Sequence, residues 1–145
     1  MNIIYTNKQI QLKHSTEGSA GYDVQHAGDE TIKLFPGNHV TVDLGFKVHI
    51  ADPNIAAIVI PRSGLGTKHG LVLRNLVGLI DSDYQGGLKA TLVNTGRDIV
   101  TIKPLDRIGQ IMFVPVIHPE FNEVESFDEV TERGEGGHGS TGVSA

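Results

Sequence analysis

Residues 39–50, HVTVDLGFKVHI, alternate without a break. Val40, Val42, Leu44, Phe46, Val48 and Ile50 are apolar, and His39, Thr41, Asp43, Gly45, Lys47 and His49 lie between them. Successive side chains of a strand point to opposite faces, so this period of two buries one face and wets the other. A helix would instead repeat its apolar residues every three or four positions. Gly45 falls inside a run long enough that it marks a bulge or bend.

The flanks read the same way. Thr31–Leu34 is a short strand closed by the Pro36-Gly37 turn, and Asp52-Pro53-Asn54 turns the chain into IAAIVI (55–60), an inner strand. Ile3–Tyr5 and Gln9–Lys13 read as short strands, and YDV (22–24) ends a Ser/Gly-rich loop in alternation. Ile99–Ile102 and Arg107–Val116 complete the sheet, with Phe121–Phe127 as a late acidic strand. Ser63 caps the single short helix expected, over roughly residues 64–69. Short strands punctuated by turns, with almost no helix, predict an all-β fold: a distorted jelly-roll or β-barrel-like sandwich. Residues 1–132 make that domain. Residues 133–145 carry five glycines between Gly134 and Gly142 and form a flexible arm that cannot pack by itself.

Composition removes several functions. The chain has 145 residues, one domain's worth, and its hydrophobic fraction is 39%. It has no Cys, which excludes a disulfide scaffold, a thiolate zinc site and a cysteine nucleophile. Its seven His show no HxH or HxxxH spacing that would suggest zinc. The net charge of −5 is concentrated between Glu120 and Glu135, where seven acids meet one base, Arg133. Residues 1–119 are therefore near neutral and able to host an anion locally. No Lys/Arg stripe suggests a nucleic-acid groove. No run approaches membrane-spanning length, and the opening MNIIYTNKQ lacks a signal-like pattern, so a cytoplasmic protein is expected.

Chemistry concentrates in Val77–Asn94, VGLIDSDYQGGLKATLVN. β-prone arms around Gly86-Gly87 predict a hairpin whose glycines accept φ > 0. Asp81 and Asp83 sit two apart and leave one face. Folding does not need them there, because neighbouring carboxylates repel. They read either as a charged loop or as a general base or metal-facing acid beside a small-molecule slot. Arg62-Ser63-Gly64 is either a plain strand-to-helix turn or a cradle of N–H groups, hydroxyl and guanidinium for phosphate oxygens. The Gly-rich arm is either a frayed terminus or a closing lid, in which glycine N–H groups, Ser140, Thr141 and Arg133 form an anion nest. Gln110 is an edge polar residue or a ligand contact. Asp23 is a turn carboxylate or an acid near a metal.

Five stretches occur together: AGYDV (20–24), PRSGLGTKHG (61–70), GLIDSDYQG (78–86), RIGQIMF (107–113) and RGEGGHGSTG (133–142). In order and spacing they resemble the homotrimeric deoxyuridine triphosphatase (dUTPase) family across nearly the whole chain, the third and fifth being the specific ones. The resemblance implies a jelly-roll-like homotrimer. It implies Mg²⁺-dependent hydrolysis of dUTP to dUMP and pyrophosphate, which keeps uracil out of DNA and supplies dUMP for thymidylate synthesis. It also implies composite sites, built from the second and fourth stretches of one subunit, the hairpin of another and the arm of a third.

Carried over by position, the resemblance makes Asp81 the base that activates water at the α-phosphorus. Tyr84 lies against the deoxyribose and excludes a 2′-hydroxyl. The hairpin backbone from Asn75 and Gly78 across to Lys89 pairs with the uracil edge. Arg62, Ser63, Gly64 and Gln110 hold the β- and γ-phosphates. Arg133, His138, Gly139, Ser140 and Thr141 close over them, and Asp23 reaches Mg²⁺ through water. Asp83 orients the hairpin. Three positions depart from the family pattern. His138 replaces the usual Phe, which implies a weaker lid and a KM that rises at acidic pH. Gly109 replaces Ala, and Gly66-Thr67 is atypical. A dUTP-gated regulatory protein of the same fold is a competing reading, but it usually carries an inserted loop for which this chain has no room. A dCTP deaminase would need an acid near the second stretch, where VLRNLVGL has Arg74 and no Glu.

Overall fold

The computed structural model describes residues 1–137. The described chain runs β1 (Asn2–Tyr5), β2 (Tyr22–Gln25), β3 (Ile32–Leu34), β4 (His39–His49), β5 (Ile55–Pro61), α1 (Ser63–His69), β6 (Leu71–Leu73), β7 (Gly78–Ile80), β8 (Gly87–Asn94), β9 (Val100–Ile102) and β10 (Arg107–Pro115). One sheet has the order β1-β4-β8-β6 and a second β2-β10-β5-β7, with β3 paired to β9 as a small third sheet. All pairings are antiparallel. The sheets are open, so the fold is a jelly-roll-like sandwich and not a closed barrel.

The alternation in β4 is realised. Val42, Leu44, Phe46 and Val48 are buried, while Thr41, Asp43 and Lys47 are exposed. They join Leu88, Ala90 and Leu92 of β8 and Val24, Ala57, Val59 and Ile111 of the second sheet in one core. Gly45 sits at the expected bulge. The β4–β8 register shifts between Asp43 and Lys47, and Gly45 has φ 78°. A side chain there would also bring its Cβ to 2.8 Å from the Ala27 Cβ and 2.9 Å from Ile10 Cγ1.

Four expectations are corrected. Gln9–Lys13 forms no strand. Asn7 Oδ1 accepts from the Gln9 N–H at 2.9 Å and the Asn7 carbonyl from the Ile10 N–H at 3.1 Å, a turn that leads the chain off the ladder. Phe121–Phe127 also forms no strand. Phe121 is 92% exposed and Phe127 89%, because this acidic segment finds no sheet edge within the chain. Ser63 does not cap α1. Arg62 is the N-cap, without a side-chain cap bond, and Ser63 is the first helical residue.

The fourth correction concerns the hairpin, whose two arms do not pair with each other. β7 pairs with β5 in the second sheet, whereas β8 pairs with β4 and β6 in the first. The chain leaves β6, crosses to the other sheet as β7 and returns as β8, which splays the arms apart. The Gly86-Gly87 pair does not adopt positive φ. Gly86 is needed for space, since a Cβ there would run into the Tyr84 ring.

Candidate active site

The splayed hairpin leaves a slot between the sheets of about 440 Å³. Asn75, Gly78 and Lys89, three residues singled out in the sequence, line it together with Arg74, Val59 and Ile80. Backbone from two strands that are not paired to each other faces the slot, so ladder groups are free for a flat, hydrogen-bonding ring. A Cβ on Gly78 would lie 3.5 Å from the Val59 Cβ and 3.7 Å from Asn75 Nδ2, filling part of that space. Asn75 Nδ2 donates to the Val77 carbonyl at 3.1 Å, and Leu76 holds a left-handed φ of 64°. The loop between β6 and β7 is thus fixed by its own contacts.

Arg62, Ser63, Gly64 and Gln110 line a separate groove of about 420 Å³. Its organiser is Asp23 on β2. Asp23 Oδ1 accepts from Arg62 Nε at 3.2 Å and from Gln110 Nε2 at 3.4 Å, and Oδ2 from an Arg107 guanidinium nitrogen at 3.2 Å. The Asp23 side chain is 12% exposed whereas that of Arg107 is 55%, so the carboxylate is the sheltered centre of a partly solvated junction. One carboxylate between two guanidiniums leaves a net positive charge, and the groove carries no acid of its own. Ser63 is exposed at the start of α1, where Thr67 Oγ1 donates to its carbonyl at 2.7 Å.

Asp81 and Asp83 follow β7 in a turn closed by the Tyr84 N–H donating to the Asp81 carbonyl at 3.3 Å. Both are exposed and open onto one groove with His49, Pro53 and His118. The Ala51 N–H donates to the Ser82 carbonyl at 3.0 Å and anchors the turn. Tyr84 folds back, its hydroxyl donating to the Gly87 carbonyl at 3.3 Å. Arg133 Nε donates to the Gly136 carbonyl at 3.0 Å, within the arm. His138, Gly139, Ser140 and Thr141 lie outside the described residues.

Register gives the separation of these groups. Ile80 faces Ala57, so Asp81 falls opposite Ala56, six residues before Arg62 on the same strand. At a rise of about 3.3 Å per residue, Asp81 and Arg62 are roughly 20 Å apart at opposite ends of β5. One chain therefore brings Asp23, Arg62 and Gln110 together and keeps Asp81 away from them.

Sequence reasoning missed three residues. Arg107 was placed only at the head of a strand, yet it reaches Asp23 together with Gln110. A register shift between Arg107 and Gly109 changes the parity of β10, so residues three apart meet one partner. Arg74 lines the slot and donates at 2.8 Å to His39 Nε2, which must be the unprotonated nitrogen because a guanidinium cannot accept. Lys68 lines the anion groove. No local pattern signals the first two, because each contact depends on tertiary pairing.

An open antiparallel sandwich with a slot between its sheets and a positively charged groove beside its one helix defines a jelly-roll-like all-β protein. The chain belongs to the dUTPase family, whose sequence model matches residues 7–142. It is 56% identical over 129 residues, 89% of this chain and 85% of the relative, to the deoxyuridine 5'-triphosphate nucleotidohydrolases of Salmonella typhimurium and Salmonella typhi. Among solved structures it is similar to the Staphylococcus bacteriophage 80alpha dUTPase with dUPNHPP. That match has a TM-score of 0.85 at 28% identity and covers 98% of both chains. A mutant dUTPase of phage phi11, described with a structural Mg(II) ion, shares the fold at a TM-score of 0.75 and 22% identity, over 88% of this chain and 98% of that one.

Proposed function

We propose that the protein hydrolyses dUTP to dUMP and pyrophosphate at sites shared between the subunits of a homotrimer. Membership of the dUTPase family and the named activity of relatives at 56% identity support the reaction. The observation that carries the shared site is the separation of Asp81 from Arg62 along β5. A triphosphate is much shorter than that span, so the water-activating and phosphate-holding groups of one site come from different chains. The residue roles are those the family resemblance implies, placed on these positions.

The slot lined by Asn75, Gly78 and Lys89 takes the uracil edge on backbone N–H and C=O groups. Cytosine would leave buried polar groups unpaired there, at a cost of about 1–3 kcal/mol per group. Tyr84 packs against the deoxyribose and leaves no room for a 2′-hydroxyl. Arg62, Ser63, Gly64 and Gln110 of a neighbouring chain hold the β- and γ-phosphates, with Asp23 fixing the guanidinium and the amide. Asp81 has no hydrogen-bond partner for its carboxylate among the described residues and is free to hold a water. It accepts a proton as the water oxygen bonds to the α-phosphorus and the bond to the bridging oxygen breaks, releasing pyrophosphate. Positioning and charge neutralisation do most of the work in such phosphoryl chemistry. Arg133 and residues 138–141 close over the phosphates.

The donor set also fits Mg²⁺ of a particular kind. An ion that keeps several waters and binds substrate oxygens needs few protein ligands. Asp23, its oxygens engaged by Arg62, Gln110 and Arg107, would hold it through water. When bound, the ion neutralises charge on the triphosphate.

One assay tests the proposal: pyrophosphate release from dUTP, UTP, dCTP and dTTP, with and without Mg²⁺. Release confined to dUTP is expected, together with loss of turnover and retained binding in Asp81→Asn. Equal rates on UTP, or none on dUTP with Mg²⁺ present, would overturn it.

A further inference from the structure

We propose that Lys68 is a further triphosphate-binding residue, reading the terminal phosphates of the ligand from the far side of the anion groove. The inference rests on the dUTP reading of that groove and names a residue that the motif comparison does not assign. Lys68 lines the groove together with Arg62, Ser63, Gly64 and Gln110. Arg62 already spends part of its charge on Asp23, at 3.2 Å. Lys68 makes no ion pair among the described residues, and no acid lines the groove beside it. It is therefore a groove cation with no ion-pair partner of its own among the described residues.

The helix directs it. Lys68 stands four residues after Gly64 on α1, so the two share a face. Long helical side chains lean toward the N-terminus, over the residue one turn back. Here that residue is Gly64, and a Cβ at Gly64 would meet nothing within 4 Å. The Lys68 stem therefore has room to reach over Gly64 toward Ser63 and the groove. A lysine in the last turn of a helix also has a plainer use, complementing the orphan carbonyls. Part of that need is met without it, because Gly70 adopts φ 66° and the cap N–H groups bond the Leu65 and Gly66 carbonyls.

The test is titration of the full-length native protein, Lys68→Met and Lys68→Arg with dUpNHpp and separately with dUMP, at low and high salt. Lys68→Met should weaken dUpNHpp about fivefold, the upper range for an exposed charge contact, with the loss shrinking as salt rises. Binding of dUMP, which lacks the terminal phosphates, should not change, and neither should the melting temperature. Lys68→Arg should restore most of the loss. If native protein binds both ligands and Lys68→Met matches it, or loses both equally, this inference falls alone. If native protein binds neither ligand, the dUTP reading falls and takes the inference with it.

Discussion

Two inactive variants should rescue each other when mixed, and the size of the rescue follows from the register of one strand. Asp81 lies opposite Ala56 and Arg62 lies six residues further along β5. The resulting gap of roughly 20 Å between backbone positions argues against one chain supplying both groups to one triphosphate. Arg62→Ala removes the phosphate-holding guanidinium and leaves Asp81 intact. Asp81→Asn removes the base and leaves the anion groove intact. Each variant alone should be inactive at every site. In the homotrimer proposed above, each site would draw Arg62 from one subunit and Asp81 from its neighbour.

Subunits of the two variants, unfolded together and refolded at equal concentration, assort at random. The chance that a given site receives an intact Arg62 and also an intact Asp81 is then about one quarter, so pyrophosphate release from dUTP should recover to about a quarter of the native rate. Simple mixing without subunit exchange should recover nothing. Mass spectrometry of the intact assemblies confirms that mixed rings have formed. Background activity from verified mixed rings would mean that both groups act in one chain, and the shared-site reasoning would be refuted.

Asp23 separates two roles, orienting Arg62 and Gln110 or holding a hydrated Mg²⁺. Asp23→Asn should cost about 1–3 kcal/mol of stability in denaturant melts, the range for a lost charge-assisted hydrogen bond. It should also weaken dUpNHpp binding both with Mg²⁺ and with EDTA, and a defect that vanished in EDTA would leave only the metal role. Gly45→Ala combines a left-handed φ with Cβ contacts at 2.8 and 2.9 Å. Strain and overpacking should together lower stability by about 2–4 kcal/mol, and a melting temperature at the native value would contradict the bulge assignment. His138→Phe should lower KM for dUTP most at acidic pH, because an imidazole protonates near pH ~6.5 and a phenyl ring does not. Identical pH profiles for KM in the two proteins would remove the stacking role read from the sequence at position 138.

What the sequence disclosed and what it withheld divide along a physical line. The alternation of His39–Ile50 is a local property, and it located β4, its buried face and even the bulge at Gly45. The motif residues were equally visible, because their identities do not depend on pairing. Their partners were hidden. Nothing in VGLIDSDYQGGLKATLVN shows that its two arms join different sheets, since either arm pairs acceptably with any apolar strand. Nothing in RIGQIMF shows that a bulge turns Arg107 onto the carboxylate that also holds Gln110. The exposed phenyl rings of Phe121 and Phe127 carry the same lesson further. The chain offers this segment no edge, and an apolar side chain left in water costs about 25 cal/mol per Å² of surface it fails to bury. On the shared-site proposal, a second copy would both cover this segment and bring Arg62 of one chain to Asp81 of another.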